Sequence, residues 1–244
     1  MAVQTFNDDF NTLNWWNGSS GIWQPSDEDV PNGFGGGSGS WEVNPFWQPT
    51  SAANCNPYSV SNSVLSLSLL TTPSSVRSSV NNAPFLCGWM QTYHSFNQLY
   101  GYFEMRAKMP STYGINNAFW LMPEDGSWPP EIDIVEYLGR YQNTSNMTVH
   151  TIDGGQKQFY STVPTATTEF NKYAVDWTAA NITWYINDVA VATTKTPRGY
   201  NKPMYILLDM YAGDKNSWQG KPAKGAKGVF EIDYVRAWDV NPYH

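Results

Sequence analysis

Apolar and polar residues alternate with a period of two along most of this chain. The alternation is visible in "VLSLSLL" (64–70), "GYFEMRAKM" (101–109), "KYAVDW" (172–177), "NITWYINDVAVATT" (181–194) and "GVFEIDYVRAW" (228–238). Successive strand residues point to opposite faces, so each run predicts a half-buried strand. Clusters of Gly, Pro, Asn and Ser separate the runs. Within the fourth, Asn187-Asp188 predicts a hairpin turn between two short strands. "PMYILLDMYAG" (203–213) is more continuously apolar, as a strand buried on both faces would be. No window of a dozen residues holds a helical period, and no repeat or dividing linker is visible. "PNGFGGGSGS" (31–40) has the most flexible composition, but it lies too near the N-terminus to separate two domains. The pattern predicts one domain over residues 1–244, an all-β sandwich of two stacked antiparallel sheets.

Composition narrows the function. A single domain of 244 residues buries roughly three quarters of its unfolded surface, and an apolar share of 41% is far from that of a disordered chain. No stretch approaches the ~20 apolar residues of a membrane span, so a soluble protein is expected. The net charge of −7 argues against nucleic acid, whose phosphates need a basic partner. Only 14% of residues are charged while 16% are aromatic, a balance suited to a neutral polyhydroxylated ligand whose C–H faces lie on rings. Large β cores use the same aromatic residues. Cys55 and Cys87 are the only cysteines. An extracellular location predicts a disulfide between them, and two separate buried thiols are the alternative. The first residues, Met1-Ala2-Val3-Gln4, lack the charged and apolar regions of a signal peptide.

The informative stretch is "PPEIDIVEYLGR" (129–140), which puts three acids among Ile, Ile and Val. Glu131 and Asp133 share a strand face, and Ile132 and Ile134 occupy the other. Glu136, five residues from Glu131, has the wrong parity for their face. One extra residue near Val135, a β-bulge, would restore it. Without the bulge, Glu136 would enter the apolar side at a cost of roughly several kcal/mol. Three acids on one face repel, so at least one pKa should rise. A retaining glycosidase needs such a set: one carboxylate attacks the anomeric carbon, and a second, protonated near neutral pH, donates to the leaving oxygen. Their carboxyl groups must lie about 5–5.5 Å apart. Four bulge-corrected steps span roughly 13 Å at the Cα level, a gap that two inward-leaning Glu side chains can mostly close. Asp133, between them, would hold the nucleophile in place. Calcium coordination by the same acids is disfavoured, because hard-cation loops need turn glycines and backbone carbonyls. A solvated acidic face is the bland alternative.

Glu131-Ile132-Asp133-Ile134-Val135-Glu136 resembles the ExDxxE signature of glycoside hydrolase family 16, in the bulged form of laminarinases, agarases and carrageenases. Lichenases generally carry the shorter ExDxE. The likeness extends over about 140 residues. "LYGYFEMRAKMP" (99–110) resembles the YGxFExRxKxP strand and "NNAFWLMP" (116–123) the PAFWL segment. "GSWPPEIDIVEYLG" (126–139) resembles WPxxGEIDIxE and "FEIDYVRAWD" (230–239) the closing IDYVRVY strand. The resemblance implies a β-jelly-roll, concanavalin-like, with a substrate cleft across its concave sheet. Carried over by position, Glu131 matches the nucleophile, Asp133 its supporting acid and Glu136 the acid/base. Glu104 and Arg106 match a cleft-lining pair that hydrogen-bonds sugar hydroxyls, a plain surface ion pair being the alternative. Trp120 and Trp128 resemble sugar-stacking tryptophans, although Trp120 suits a core equally well. His150, in "MTVH", matches a histidine beside the acids, and Trp218, in "NSWQG", the SWPG segment that holds the substrate's non-reducing side.

The chain departs from the family pattern in two places. "LLDMYAGDKNSWQG" puts Asp209 where Asn is common and Tyr211 in an apolar slot, and "WPPEID" lacks the glycine before the first acid. "EID" also recurs at Glu231-Ile232-Asp233, with no third acid following. Double displacement fails there for want of a partner. In the family this strand's aspartate is often a structural calcium ligand on the convex side. Asp233 is the matching candidate, with a backbone carbonyl near Asp9 or Gly39 as partner. No cofactor is implied for catalysis. The expected protein is a secreted, monomeric endo-glycosidase acting on β-1,3- or mixed β-1,3-1,4-glucan by double displacement. A red-algal galactan or bacterial exopolysaccharide is the alternative substrate, and a non-catalytic sugar-binding sandwich the alternative class.

Overall fold

A computed structural model of the chain describes residues 1–25, 55–80 and 82–243. The glycine-rich stretch 31–40 and Gly39 within it lie outside that range. The first eight strands are β1 (Gln4–Asp8), β2 (Tyr58–Ser61), β3 (Val64–Thr71), β4 (Phe85–Leu86), β5 (Trp89–Gln91), β6 (Asn97–Gln98), β7 (Gly101–Lys108) and β8 (Ile115–Pro123). The remainder are β9 (Glu131–Leu138), β10 (Thr144–Thr151), β11 (Gly155–Thr162), β12 (Asn171–Trp177), β13 (Asn181–Ile186), β14 (Val189–Lys195), β15 (Met204–Ala212) and β16 (Gly228–Trp238). All pair antiparallel into two sheets. One has the order β14-β13-β12-β7-β16-β3-β2, with β1 added on β16 and β4 on β3. The other runs β11-β10-β9-β8-β15-β5, with β6 added on β15. This is the two-sheet jelly-roll that the alternation and the resemblance predict.

Each alternating run became a strand for the expected reason. Phe103, Met105 and Ala107 of β7 are fully buried between the sheets, as are Leu65 and Leu67 of β3. Asn187 and Asp188 adopt φ values of 49° and 67°, the left-handed conformation that a two-residue hairpin turn with the twist of its strands requires. Along β15 every residue is buried except Tyr211. Ile206, Leu208 and Met210 face the other sheet, while Leu207, Asp209 and Tyr211 lie beneath the opposite surface, in register with Trp120, Ala118 and Asn116.

The bulge in β9 is present. Against β8, Phe119 pairs with Val135 and Trp120 with Asp133, leaving Ile134 as the extra residue. Against β10, Asn146 pairs with Glu136 and Thr148 with Asp133. Ile132, Ile134 and Val135 all enter the core, and the three acids emerge on the other side. A cross-sheet bond supports this kink. The indole Nε1 of Trp184, on β13 in the opposite sheet, donates to the Asp133 carbonyl at 2.9 Å. A donor across the core reaches that oxygen only if the bulge tips it out of the ladder.

The predicted disulfide is not formed. Cys55 and Cys87 are both buried thiols. Cys55 packs with Val80 and Leu86 in a small satellite cluster, whereas Cys87 belongs to the main core.

Trp184→Phe should therefore destabilise the fold by about 1–3 kcal/mol, because a buried carbonyl loses its donor. Denaturant unfolding measures this, and unchanged stability would show that the indole does not support the bulge.

Candidate active site

The site is built on the outward face of the seven-stranded sheet, where Glu131, Asp133 and Glu136 line a cleft of about 280 Å³. Strand register sets its floor. Thr148, Asp133, Trp120 and Leu207 form one row across β10, β9, β8 and β15, and Asn146, Glu136, Ala118 and Asp209 form the next. Ala118 keeps the second row low, so space opens between the Glu136 and Asp209 side chains. Tyr200 stitches the edge of the site: its hydroxyl lies 2.9 Å from the Glu131 carbonyl and 2.7 Å from that of His150.

Each acid has its own partners. His150 sits opposite Glu131 on β10. Its Nε2 lies 3.2 Å from Asp133 Oδ2 and 3.6 Å from Glu131 Oε1. Trp128 Nε1 donates to Glu131 Oε2 at 2.5 Å. Asn116 Nδ2 donates both to Glu136 Oε1, at 3.3 Å, and to Tyr211 Oη, at 3.0 Å. Trp120 Nε1 donates to Asp209 Oδ1 at 2.8 Å, and its ring meets Trp89 edge-on at 5.4 Å.

Burial dominates the electrostatics. It pushes the Glu136 carboxyl up to about 8, with the charge of Glu131 adding to the rise and the Asn116 amide opposing it. Asp209 is likewise pushed up to about 8 by burial, against the stabilising Trp120 N–H. Glu131 and Asp133 are raised well above the usual carboxylate range, again chiefly by burial, then by Asp133 and Glu136 respectively. His150 and the Trp128 N–H oppose the rise at Glu131. The arrangement can therefore hold a proton at Glu136 near neutral pH while donors gather around Glu131. This division suits a donor and a nucleophile.

The structure brings together most of the residues anticipated from the sequence. Trp120, Trp128, His150 and Trp218 all line the cleft with the three acids. Trp128 and Trp218 expose 57% and 38% of their surface, leaving ring faces open for contact. Trp120 is both alternatives at once, since only 7% is exposed yet its edge reaches the cleft.

Glu104 and Arg106 are not cleft residues. They lie on β7, in the opposite sheet, and face away from the interior. Glu104 is buried and accepts hydrogen bonds from Tyr234 Oη at 2.8 Å and Tyr243 Oη at 3.4 Å. Arg106 pairs with Asp233 at 2.5 Å and lies over the Phe170 ring. That pairing also bears on the calcium expected at Asp233. A guanidinium already neutralises this carboxylate, and Asp9 is held by Arg236 at 2.7 Å and by Asn7. A carboxylate already engaged by a guanidinium is a poor hard-cation ligand, and of the two carbonyl partners expected for Asp233, that of Gly39 lies outside the described residues.

Four cleft residues were not anticipated as site residues: Asn116, Ala118, Asp209 and Tyr211. Asp209 carried a signal of the same kind as Glu136, an acid inside an apolar strand, and Tyr211 follows it on the same face.

The chain resembles known proteins over nearly its whole length. The family model described as glycosyl hydrolases family 16 matches residues 49–236. Two proteins of Rhizobium meliloti named endo-1,3-1,4-beta-glycanase, EglC and ExsH, are 40% and 39% identical over 99% of this chain. The match covers 52% of each, so the chain spans about half the length of these curated relatives. Among solved structures, the laminarinase of Rhodothermus marinus superposes with a TM-score of 0.78 at 22% identity, over 98% of this chain and 97% of the other. With the bulged acidic strand in place and the family model matched across most of its length, the chain belongs to glycosyl hydrolases family 16.

Proposed function

We propose that this chain is a retaining endo-glycosidase that hydrolyses β-1,3- or mixed β-1,3-1,4-glucan by double displacement. The observation that carries the reading is the bulge at Ile134, which aims Glu131 and Glu136 into one cleft. The Glu131 carboxylate attacks the anomeric carbon, and protonated Glu136 gives its proton to the departing glycosidic oxygen. A covalent glycosyl-enzyme forms. Glu136, now a carboxylate, takes a proton from water as the water attacks, and Glu131 is released. The Trp128 indole N–H holds Glu131, Asp133 and His150 flank it, and Trp128 and Trp218 offer ring faces to sugar C–H surfaces.

The glucan preference is supported by the names of the Rhizobium meliloti relatives and by the lining of the cleft. No Lys or Arg among the described residues lines it, which disfavours a sulfated galactan. Both glutamates are intact, which disfavours a purely sugar-binding role. The same reading expects the enzyme to act outside the cell, because a polysaccharide is too large to be taken up whole, and to be a monomer.

Reducing-end release across laminarin, lichenan, agarose and porphyran tests the substrate, with hydrolysis expected on laminarin or lichenan. Glu131→Gln should lower that activity by at least roughly 10³-fold. Wild-type-like turnover in this variant would sink the assignment.

The pH profile follows from the raised carboxyls. The acid must be protonated, so kcat/KM should fall as pH rises through about 8, where Glu136 loses its proton. It should fall again at low pH as Glu131 is protonated, above the ordinary carboxylate range because that group is also raised. A flat profile from pH 4 to 9 contradicts the roles.

Stability carries the same signature. Glu136 keeps its proton in the folded state up to about 8 but releases it near 4.5 when unfolded. The fold therefore loses stability as pH rises between those values. Glu136→Gln should raise Tm by several degrees at pH 8, each kcal/mol being about 2–4 °C for a chain of this size. The gain should be smaller at pH 5, and calorimetry showing equal gains at both would refute it.

A further inference from the structure

We propose that Asp209 is a positioning residue of the cleft, holding Trp120 through its carboxyl and facing Glu136, the general acid, from across Ala118. The inference rests on the reading of Glu136 as the acid/base. Asp209 pairs in register with Ala118 on β8, and Ala118 pairs with Glu136 on β9, so the three lie in one row. With strands ~4.8 Å apart, the outer Cα atoms are roughly 10 Å apart, and only a methyl group stands between the two side chains. Asp209 is buried, at 2% exposed, and Glu136 is half-buried.

A buried carboxyl without an ion-pair partner costs roughly several kcal/mol unless hydrogen bonds offset it. Here one oxygen, Oδ1, accepts from the Trp120 indole. That bond fixes the ring of a tryptophan that lines the cleft. The groups packed around Asp209 are Trp89 on β5, Trp120 and Ala118 on β8, and Tyr211 on its own strand. The other charged or titratable groups lining the cleft are Glu131, Asp133 and Glu136 on β9, His150 on β10 and the Tyr211 hydroxyl on β15. Three of these five are carboxyls, so the field at Asp209 is set mainly by carboxyls. Its negative charge raises both Glu136 and Asp133, and burial brings Asp209 itself to about 8. Asp209 and Glu136 thus lose their protons in the same pH range, and ionisation of one defers that of the other. The consequence for the reaction is that Asp209 keeps the general acid protonated to higher pH.

Asp209→Asn retains an acceptor for Trp120 but removes the charge. The alkaline limb of its kcat/KM profile should move to lower pH by roughly half a unit or more. Asp209→Ala also removes the acceptor and should raise KM, because the Trp120 ring is no longer held. An Asn variant whose profile overlays that of the wild type overturns the proposal. Carboxyl-carbon NMR of the wild type gives a reading that needs no variant to fold. Glu136 and Asp209 should titrate together in two coupled steps, and a single-step Glu136 curve with Asp209 unchanged between pH 5 and 9 overturns it equally. Absence of any β-glucan hydrolysis by the wild type is a separate outcome. It rejects the functional reading first, and the proposal with it.

Discussion

One extra residue in β9 decides what this sheet can do. Strand geometry alone would send Glu136 into the core with Ile132 and Ile134, at the desolvation cost of a lone buried carboxylate. The bulge at Ile134 turns that arrangement over, so that Ile132, Ile134 and Val135 fill the interior while the acids emerge together. Its support comes from the other sheet. The Trp184 indole crosses the core to the Asp133 carbonyl, so the packing of the two sheets and the aim of the acids are one structural problem. The inter-sheet core thereby sets the aim of the acids from the side opposite the cleft.

The second constraint is desolvation of four carboxyls, Glu131, Asp133, Glu136 and Asp209, in one small cleft. Each is raised by burial, so the folded state retains protons that the unfolded chain would release. The protein is less stable for it near neutral pH. Polar neighbours are distributed so that the acids remain distinct. Indole and imidazole nitrogens surround Glu131 and Asp133, an amide reaches Glu136, and a second indole reaches Asp209. Identical side chains acquire separate chemical tasks from these neighbours.

Much of the fold and the centre of the site were legible in the chain. Period-two runs located the strands, and a parity mismatch located the bulge. What local pattern could not reveal was which sheet a strand joins. Alternation shows that Glu104 and Arg106 share a face of β7, but only the pairing of β7 with β12 and β16 places that face away from the cleft. The same pairing brings Arg106 to Asp233, a meeting of residues 127 positions apart. Asn116 was illegible for a similar reason, being bonded to Tyr211 across 95 positions. The cysteines show the limit of composition, which predicted a bridge between two side chains that the fold assigns to different clusters.

β15 shows why an ambiguous pattern can carry functional information. Its unbroken apolar run predicts burial on both faces, and both faces are indeed covered, but by different things. One packs against the opposite sheet, and the other lies beneath the cleft floor, with Trp89 and Trp120 on either side of Asp209. A strand in the middle of the cleft-bearing sheet therefore reads like a core strand, because the aromatic walls of the cleft exclude water much as a core does. Against such a background a single acid is conspicuous. Desolvation makes an idle carboxyl costly at that position, so an acid retained beneath the floor points to work done in the cleft above it. The same logic first singled out Glu136, and it applies to Asp209 with no help from the ExDxxE motif.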